Sequence, residues 1–458
     1  MMRKFSAPAI ESKEKALMSQ NENSTSRRDF LRTAAVTTAG VAVVGSMPTT
    51  AEAMRRVVGA NDRISIGHVG TGAQGLNTHV KLLHEAETTN NTQQIAVCDV
   101  YNKRMNAAKA MLALKDNAAY TDYRKLIERK DIDAVVVATS DNWHADVTLA
   151  ALEAGKHVYC EKPLCRTLEE AFTVYDAVKK SGKVFQLGAQ GCSDDKWHAA
   201  GRVVKAGKIG TVVVGQGSYM RNSKAGGWNE VLIDKDASPT ASGDAHVDWE
   251  TFRRGKGPEA WDPDRYFRWR KYWAYGSGMI GDLFPHRLLP LLIAMNVPTT
   301  GTDGYPVRIS SGGGLYVQKI NPDTGKPDRE IPDFVNLNVD FGNMSMMMMS
   351  STCNDVGWEE AIRGNKATVV FGGNAVQIKP QRDWADEVDE GTEPITGLSE
   401  NFPTHQKNWL DCIRTNGTPN ANIDLAVRAQ VMITLSERSY RENKTFIFDP
   451  QTRKATPA

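Results

Sequence analysis

A chain of 458 residues with 41% hydrophobic and 24% charged residues can bury cores for two globular domains, which excludes intrinsic disorder as its general state. Its 56 basic and 54 acidic residues are interspersed and leave a formal net charge of +2. There is no long basic block to track a phosphate backbone, so nucleic acid is not an expected partner.

In chain order, Ser26-Arg27-Arg28-Asp29-Phe30-Leu31-Arg32 precedes a mildly apolar run over 33–47 and then Ala51-Glu52-Ala53. This reads as a twin-arginine export signal with an Ala-x-Ala cleavage site, occupying 1–54 with its upstream extension. The run is rich in Thr, Ala and Gly and falls short of the roughly 20 apolar residues that cross a bilayer. The expectation is a periplasmic protein with no membrane span after processing. Such signals carry folded proteins, which suits a chain that must capture a nucleotide before it leaves the cytoplasm.

From residue 64 to about 188, apolar runs alternate with amphipathic ones. The pattern predicts strands near 64–69, 93–98, 134–138, 157–160 and 184–187, with helices near 73–86, 102–114, 122–129, 143–154 and 167–180. The strands are almost unbroken apolar runs, Ala134-Val-Val-Val137 the clearest, as a parallel sheet covered on both faces requires. A doubly wound α/β domain over 61–188 is predicted. The cysteines Cys98, Cys160, Cys165, Cys192, Cys353 and Cys412 show neither C-x-x-C nor regular spacing, so free thiols are expected rather than zinc or a disulfide framework.

The texture changes over 189–458. After a predicted helix near 194–206 come strands such as 211–219 and a Trp-, Pro- and Gly-rich loop from about 221 to 276. Strand-like runs between 306 and 378 follow, parted by turns at 321–325 and 372–374. This predicts an α+β domain with an open, mainly antiparallel sheet, closed by helices near 404–415 and 423–441. The run Met346 to Met349 lies in a strand pattern spanning 335–351 and reads as core packing rather than a methionine-rich metal surface. No internal repeat of fixed period is present.

The chemistry begins at Gly70-Thr71-Gly72-Ala73-Gln74-Gly75, a G-x-G-x-x-G at the end of a strand and the start of a helix. The three glycines permit a tight turn, close backbone approach to a pyrophosphate and tight helix–sheet packing, while the helix N-terminus offers free N–H groups to the phosphates. Asp99 ends the next strand, where a carboxylate about 20 residues on binds the ribose hydroxyls and repels a 2′-phosphate. NAD is therefore expected over NADP, with Arg104 the one residue placed to argue otherwise. Asp99 can also cap the following helix.

Val158-Tyr-Cys-Glu161-Lys162-Pro163 ends a later parallel strand, at the edge where open α/β sheets bind ligands. Together with the glycine motif, Asn142-Trp-His144, Gly276-Ser-Gly-Met-Ile-Gly-Asp282-Leu-Phe-Pro-His286 and the His405-Gln-Lys-Asn408-Trp helix, it resembles the family of glucose-fructose oxidoreductase, inositol dehydrogenase and the rhizopine-catabolism proteins. The resemblance runs from residue 61 onward. It implies a catalytic group of Lys162, Asp282 and His286, and cofactor contacts that extend to Ser140, Asn142, His144, Glu161, Lys162 and Gln190. It also implies pairing of subunits through the open sheet, as a homodimer or homotetramer.

The spacing supports that chemistry independently. Residues four apart share a helix face, so Asp282 and His286 can converge on one hydroxyl. Oxidising a secondary alcohol needs a base for the O–H proton, which suits His286, and a cation beside the oxygen, which suits Lys162. Glu161 reads as orienting Lys162. Leu289 and Pro285 depart from the family pattern, so the pocket is not expected to be that of inositol dehydrogenase. Trp228, Trp249, Trp261, Trp269 and Trp273 crowd the preceding segment and could stack on a pyranose, or serve as core. Asp244-x-His246-x-Asp248 could be read as metal ligands on a strand, yet hydride chemistry needs no metal, and a loop near the substrate is expected.

Three readings follow. One is an NAD-dependent oxidoreductase acting on a secondary hydroxyl of a sugar or glycoside, with tightly held cofactor. Another is a redox-assisted glycoside hydrolase using the same residues. The third is a catalytically silent sugar sensor, against which the intact Lys162, Asp282 and His286 argue.

Overall fold

A computed structural model describes Asp62–Asn321 and Thr324–Ala458. The export signal read at 26–53 lies outside the described residues, as do Pro322 and Asp323 of the turn at 321–325. No described helix is long and apolar enough to cross a membrane.

Six strands form the first sheet: β1 Ile64–Val69, β2 Thr92–Cys98, β3 Ala119–Tyr120, β4 Ala134–Val137, β5 His157–Glu161 and β6 Phe185–Gly188. They pair in parallel in the order β3-β2-β1-β4-β5-β6. β4 is buried at every position, as a strand covered on both faces must be. The chain order reverses between β1 and β4, and at that switch point the strand ends open a ligand crevice.

The helices obey local rules. Leu168–Ser181 starts with a Thr167/Glu170 capping box and stops at Gly182 in the left-handed region. The helix predicted near 73–86 is instead a π-helical turn, Gly75–Val80, continued by Lys81–Glu85. Such wide turns cluster at functional sites, and this one buries His79.

The second sheet holds β7 Val212–Asn222, β8 Arg308–Gly314, β9 Phe334–Asp340, β10 Ser345–Ser351, β11 Cys353–Asn354, β12 Ala361–Gly364, β13 Ala367–Phe371, β14 Ala375–Pro380, β15 Gly391–Pro394, β16 Phe446–Asp449 and β17 Lys454–Pro457. Its order is β15-β14-β13-β12-β7-β10-β9-β8-β16-β17, with β11 against β7. Only β7 and β10 run parallel. The pattern read as one strand at 335–351 is a hairpin, because Gly342 takes φ +85° and donates its N–H to Asp340. Met346 and Met348 pack into the core, while Met347 is exposed on the opposite face and Met349 is covered there.

Helix Ile423–Glu442 is buried around most of its circumference and packs on both β8 and helix Leu168–Ser181. Arg166 and Glu437 seal that junction with a nearly dry ion pair at 2.9 Å. Helix Phe402–Thr415, assigned by sequence to the second domain, lays Trp409 and Leu410 against Ile64, Ile66 and Tyr159 of the first sheet. Burying a whole Trp there is worth about 3 kcal/mol, which explains why the chain returns.

Candidate active site

The nucleotide end is made of backbone. Gly70 turns the chain at φ +90°, and a Cβ there would lie 2.4 Å from the Ala138 carbonyl oxygen. A Cβ on Gly75 would lie 2.1 Å from the Gly70 oxygen, so helix and strand approach as only glycine permits. Leu76 N–H closes on Gly72 O at 2.7 Å, which starts the wide turn directly above β1. The motif thus has the tight turn and close helix–strand approach that a dinucleotide cradle requires.

Asp99 is held rigidly. Its Oδ2 accepts from Thr71 N at 2.7 Å and Thr71 Oγ1 at 3.2 Å, and its Oδ1 accepts from Tyr101 N at 2.9 Å. It stays on the cavity wall, where a fixed carboxylate suits ribose hydroxyls and repels a 2′-phosphate. Arg104 lies over the rings of Tyr101, Tyr266 and Phe267 and borders the space above Gly72.

The π-helical turn reaches across to the Glu161-Lys162 pair. His79 Nε2 lies 2.7 Å from Glu161 Oε1, and Gln74 Nε2 donates to the same oxygen at 3.1 Å. Gln406, on the returning helix, donates to His79 Nδ1 at 3.1 Å, so His79 carries its proton on Nε2 and donates it to Glu161. Burial opposes charge on Glu161, but the hydrogen bond from His79, the charge of Lys162 and the hydrogen bond from Gln74 outweigh it and hold the carboxyl at about 2. Its Oε2 accepts from Lys162 N at 3.2 Å. Glu161 thus orients Lys162 as an ionised, fully engaged carboxylate.

The substrate end is made of side chains. Lys162 Nζ donates to Asp282 Oδ1 at 2.6 Å and to Asp282 O at 2.8 Å. Arg270 Nε lies 3.1 Å from the same Oδ1, and Trp228 Nε1 donates to Oδ2 at 3.3 Å. Burial penalises the Asp282 charge, yet Arg270, Lys162 and Arg221 keep its carboxyl well below the ordinary range. Trp228 holds φ +66°, an unfavourable conformation for a bulky residue, to bring its indole there. His286 stacks on Tyr219 with ring centroids 4.7 Å apart. Burial first, then the Lys162 and Arg221 charges, lower His286 to about 3 against the pull of Asp282, so it is a neutral imidazole.

The expectation that Asp282 and His286 share one continuous helix face is corrected. Helix Met279–Asp282 ends at the aspartate, and Pro285 opens a new helix, Pro285–Ala294. Proline lacks the N–H that would continue the ladder. Both residues still line one cavity of about 690 Å³, together with Gly70, Gly72, Ala73, Gln74, Asp99, Arg104, Ser140, His144, Glu161, Lys162 and Gln190. Thr71, Gly75 and Asn142 brace that wall from behind. Asn142 accepts from Ser140 Oγ at 2.7 Å and donates to Phe252 O at 3.3 Å. His144 sits between the carbonyls of Pro163 and Thr139 and ties Ser140's loop to the Lys162 segment. Gln190 lies 3.5 Å from His286 Nδ1, and its Oε1 is buried without a partner.

The segment 228–276 roofs this cavity. Tyr101 and Val247 form a bridge, Asp248 N–H bonds Val100 O, and an aromatic cluster of Trp249, Phe252, Tyr266, Phe267 and Tyr275 packs on Tyr101. Trp228 and Trp269 line the cavity, whereas Trp249 is core, Trp261 packs on it and Trp273 packs against Tyr440. The loop Asp244-x-His246-x-Asp248 docks on residues 100–106 beside Asp99, not near the substrate end as expected. Asp244 accepts from Asn106 and Asp248 caps helix Trp249–Arg253. Among the described residues no group of three or more His, Cys, Asp or Glu is placed to hold a metal ion, and the six cysteines are free.

Sequence reasoning missed Arg270, Arg221, Tyr219, His79 and Gln406. Only His79, a histidine on the apolar side of the motif helix, carried a local signal.

The geometry meets known proteins as follows. Residues 64–189 match a family model, GFO_IDH_MocA, described as "Oxidoreductase family, NAD-binding Rossmann fold". Inositol 2-dehydrogenase of Salmonella typhimurium is 35% identical over 163 residues, 35% of this chain and 47% of that protein, so the match spans about half its length. A glycosyl hydrolase family 109 protein of Shewanella baltica is 26% identical over 319 residues, 65% of this chain and 61% of that protein. A levoglucosan dehydrogenase solved with NADH superposes with a TM-score of 0.60 at 18% identity, over 86% of this chain and 99% of that one. That likeness shows the shared two-part fold. Over 64–189 the chain is thus similar to the NAD-binding Rossmann unit of that oxidoreductase family.

Proposed function

We propose that this protein is an NAD-dependent oxidoreductase acting on a secondary hydroxyl of a sugar or glycoside, with Lys162, Asp282 and His286 as its catalytic group. The observation that carries this is the convergence of Lys162, Asp282 and His286 on the same cavity as the glycine cradle and Asp99. The residues fit the cofactor: Gly70 to Gly75 for the phosphates, Asp99 for the ribose, and Gln190 Oε1 as an unsatisfied acceptor between cradle and base. Bound NAD would supply the hydride acceptor.

The chain's own residues do the rest. His286 is neutral, so its unprotonated ring nitrogen can accept the hydroxyl proton. A base with so low a pKa is weak, so Lys162 must stabilise the developing alkoxide beside it. Asp282, gripped by Arg270 and Trp228, keeps Nζ in place. Trp228 and Trp269 offer faces to a pyranose.

The roof at 228–276 supports tight retention of the cofactor. Retention in turn suits the export signal read at 26–53: the protein would leave the cytoplasm loaded and work in the periplasm. The exposed Val213 and Met347 on β7 and β10 favour pairing of subunits through the open sheet. The Shewanella relatives align over 319 residues against 163 for the dehydrogenase, which favours a second reading. In it, oxidation at a ring carbon acidifies the neighbouring C–H, the aglycone is eliminated, water adds, and the carbon is reduced again.

The test is mass spectrometry of nucleotide released from the purified full chain, followed by a screen of chromogenic glycosides. Bound NAD with stoichiometric NADH selects net oxidation; aglycone release without NADH selects cleavage. Protein with neither nucleotide nor turnover refutes both.

A further inference from the structure

The substrate end carries more positive charge than its carboxylates compensate. The three cations Lys162, Arg221 and Arg270 face two ionised carboxylates: Asp282, shared by Lys162 and the Nε of Arg270, and Glu161, already engaged by His79 and Gln74. Arg270 lies flat on Trp269 at 4.2 Å, and none of its terminal nitrogens makes a hydrogen bond. Among the described residues Arg221 has no ion-pair partner within 4.0 Å; its guanidinium contacts the Tyr219 hydroxyl at 3.5 Å and lies over the Tyr219 ring at 5.3 Å. That ring is the one stacked on His286, and Arg221 lines the same cavity as the base. Among the acids nearby, Glu230 lies outside ion-pair distance, and burial pushes the Asp141 carboxyl up, which reduces the compensation it offers.

A neutral sugar leaves this surplus unused. A guanidinium presents paired N–H donors whose spacing matches the two oxygens of a carboxylate or sulfate, and a cavity with low-dielectric walls focuses the field of such cations. The nucleotide phosphates do not answer to it, because their cradle lies at the other end of the cavity, with Arg104. We propose that the substrate is an acidic sugar, whose ring carries an oxyanion group, carboxylate or sulfate ester, bound by Arg221 and the free edge of Arg270 while a neighbouring hydroxyl reacts. This rests on the sugar-oxidising function proposed above and adds the charge class of the sugar.

Arg270 also holds Asp282, so Arg221 is the residue to change. Calorimetric titration of the nucleotide-loaded full chain would compare matched pairs: D-glucuronate with D-glucose, D-galacturonate with D-galactose, D-mannuronate with D-mannose, and D-glucose 6-sulfate with D-glucose. At least one anion should bind about tenfold or more tighter than its neutral partner, with a margin that shrinks in high salt. In Arg221→Gln the margin should fall to about twofold or less. Tighter binding of uronates or of the sulfate names the group. Equal binding of every anion and its neutral partner, or a margin that survives in Arg221→Gln, overturns the inference and leaves sugar oxidation standing. Binding of no sugar of either charge overturns both.

Discussion

The two ends of the cavity hold their ligands by different physics. At the nucleotide end the wall is backbone at contact distance: Gly70 and Gly75 leave no room for a Cβ, and Asp99 is fixed by the N–H groups of Thr71 and Tyr101. At the substrate end the wall is charge. Lys162 comes from a strand end, and Arg270 and Asp282 from a 3-10 turn and a short helix more than 100 residues on. A backbone cradle fails sterically and all at once. A charged cluster fails by degrees, because removing one member leaves the others partly compensated.

The largest expected effect tests the charged end. Lys162→Ala removes the cation beside the reacting oxygen, while Arg270 and Trp228 still hold Asp282 and the fold. Turnover measured as kcat/KM should fall by about 10²-fold or more, with nucleotide still bound. A loss of only a few fold would mean that the reaction does not pass through Lys162.

Gly75→Ala attacks the cradle. The new Cβ would sit 2.1 Å from the Gly70 oxygen, so the helix must move off the strand. The variant should purify without nucleotide and unfold at lower denaturant, by about 3 kcal/mol. Retained nucleotide and native stability would show that the motif has slack.

Acidity separates the ends again. His286 lies at about 3 against an ordinary 6.5, through burial and the Lys162 and Arg221 charges; burial and His79 likewise take His68 to about 3. The unfolded chain takes up these protons below pH 6.5 while the folded one does not until about 3, so stability falls as pH drops through that window. The held-down Glu161 adds a further loss between 4.5 and about 2. Denaturant midpoints at pH 7.5 and 5 should show the decline. The kcat/KM profile should show no limb near 6.5, and a limb there would return His286 to an ordinary solvated histidine.

The smallest effect lies between the two ends. Gln406→Leu removes the donor to His79 Nδ1 and frees its tautomer, which loosens Glu161 and, through it, Lys162. A cost of about 1 kcal/mol in stability and a several-fold drop in kcat are expected, with Gln406→Glu failing to restore the bond as a donor. Unchanged kcat would confine Gln406 to packing.

The contrast also explains what a sequence discloses. The parallel strands, the glycine turn and Asp99 are contiguous and periodic, so spacing alone located them. Lys162, Asp282 and His286 were reachable through a resemblance, although Pro285 breaks the shared helix that spacing suggested. Arg221 and Arg270 carry no local signature, because an arginine at a strand end or in a short turn reads alike whether it faces water or a carboxylate; Gln406 sits in a motif the resemblance used, but its bond to His79 is a tertiary fact. The loop at 244–248 was expected near the substrate for the same reason: its register against residues 100–106 is a tertiary fact.

The central claim is that this cavity moves a hydride between a retained nicotinamide and a sugar. Rapid mixing of the NAD-loaded native chain with a panel of sugars and glycosides, followed at the absorbance of reduced nicotinamide, tests it most directly. The account predicts that the band rises, persistently for net oxidation or transiently for redox-assisted cleavage. No rise with any sugar, in protein shown to hold NAD, would contradict it.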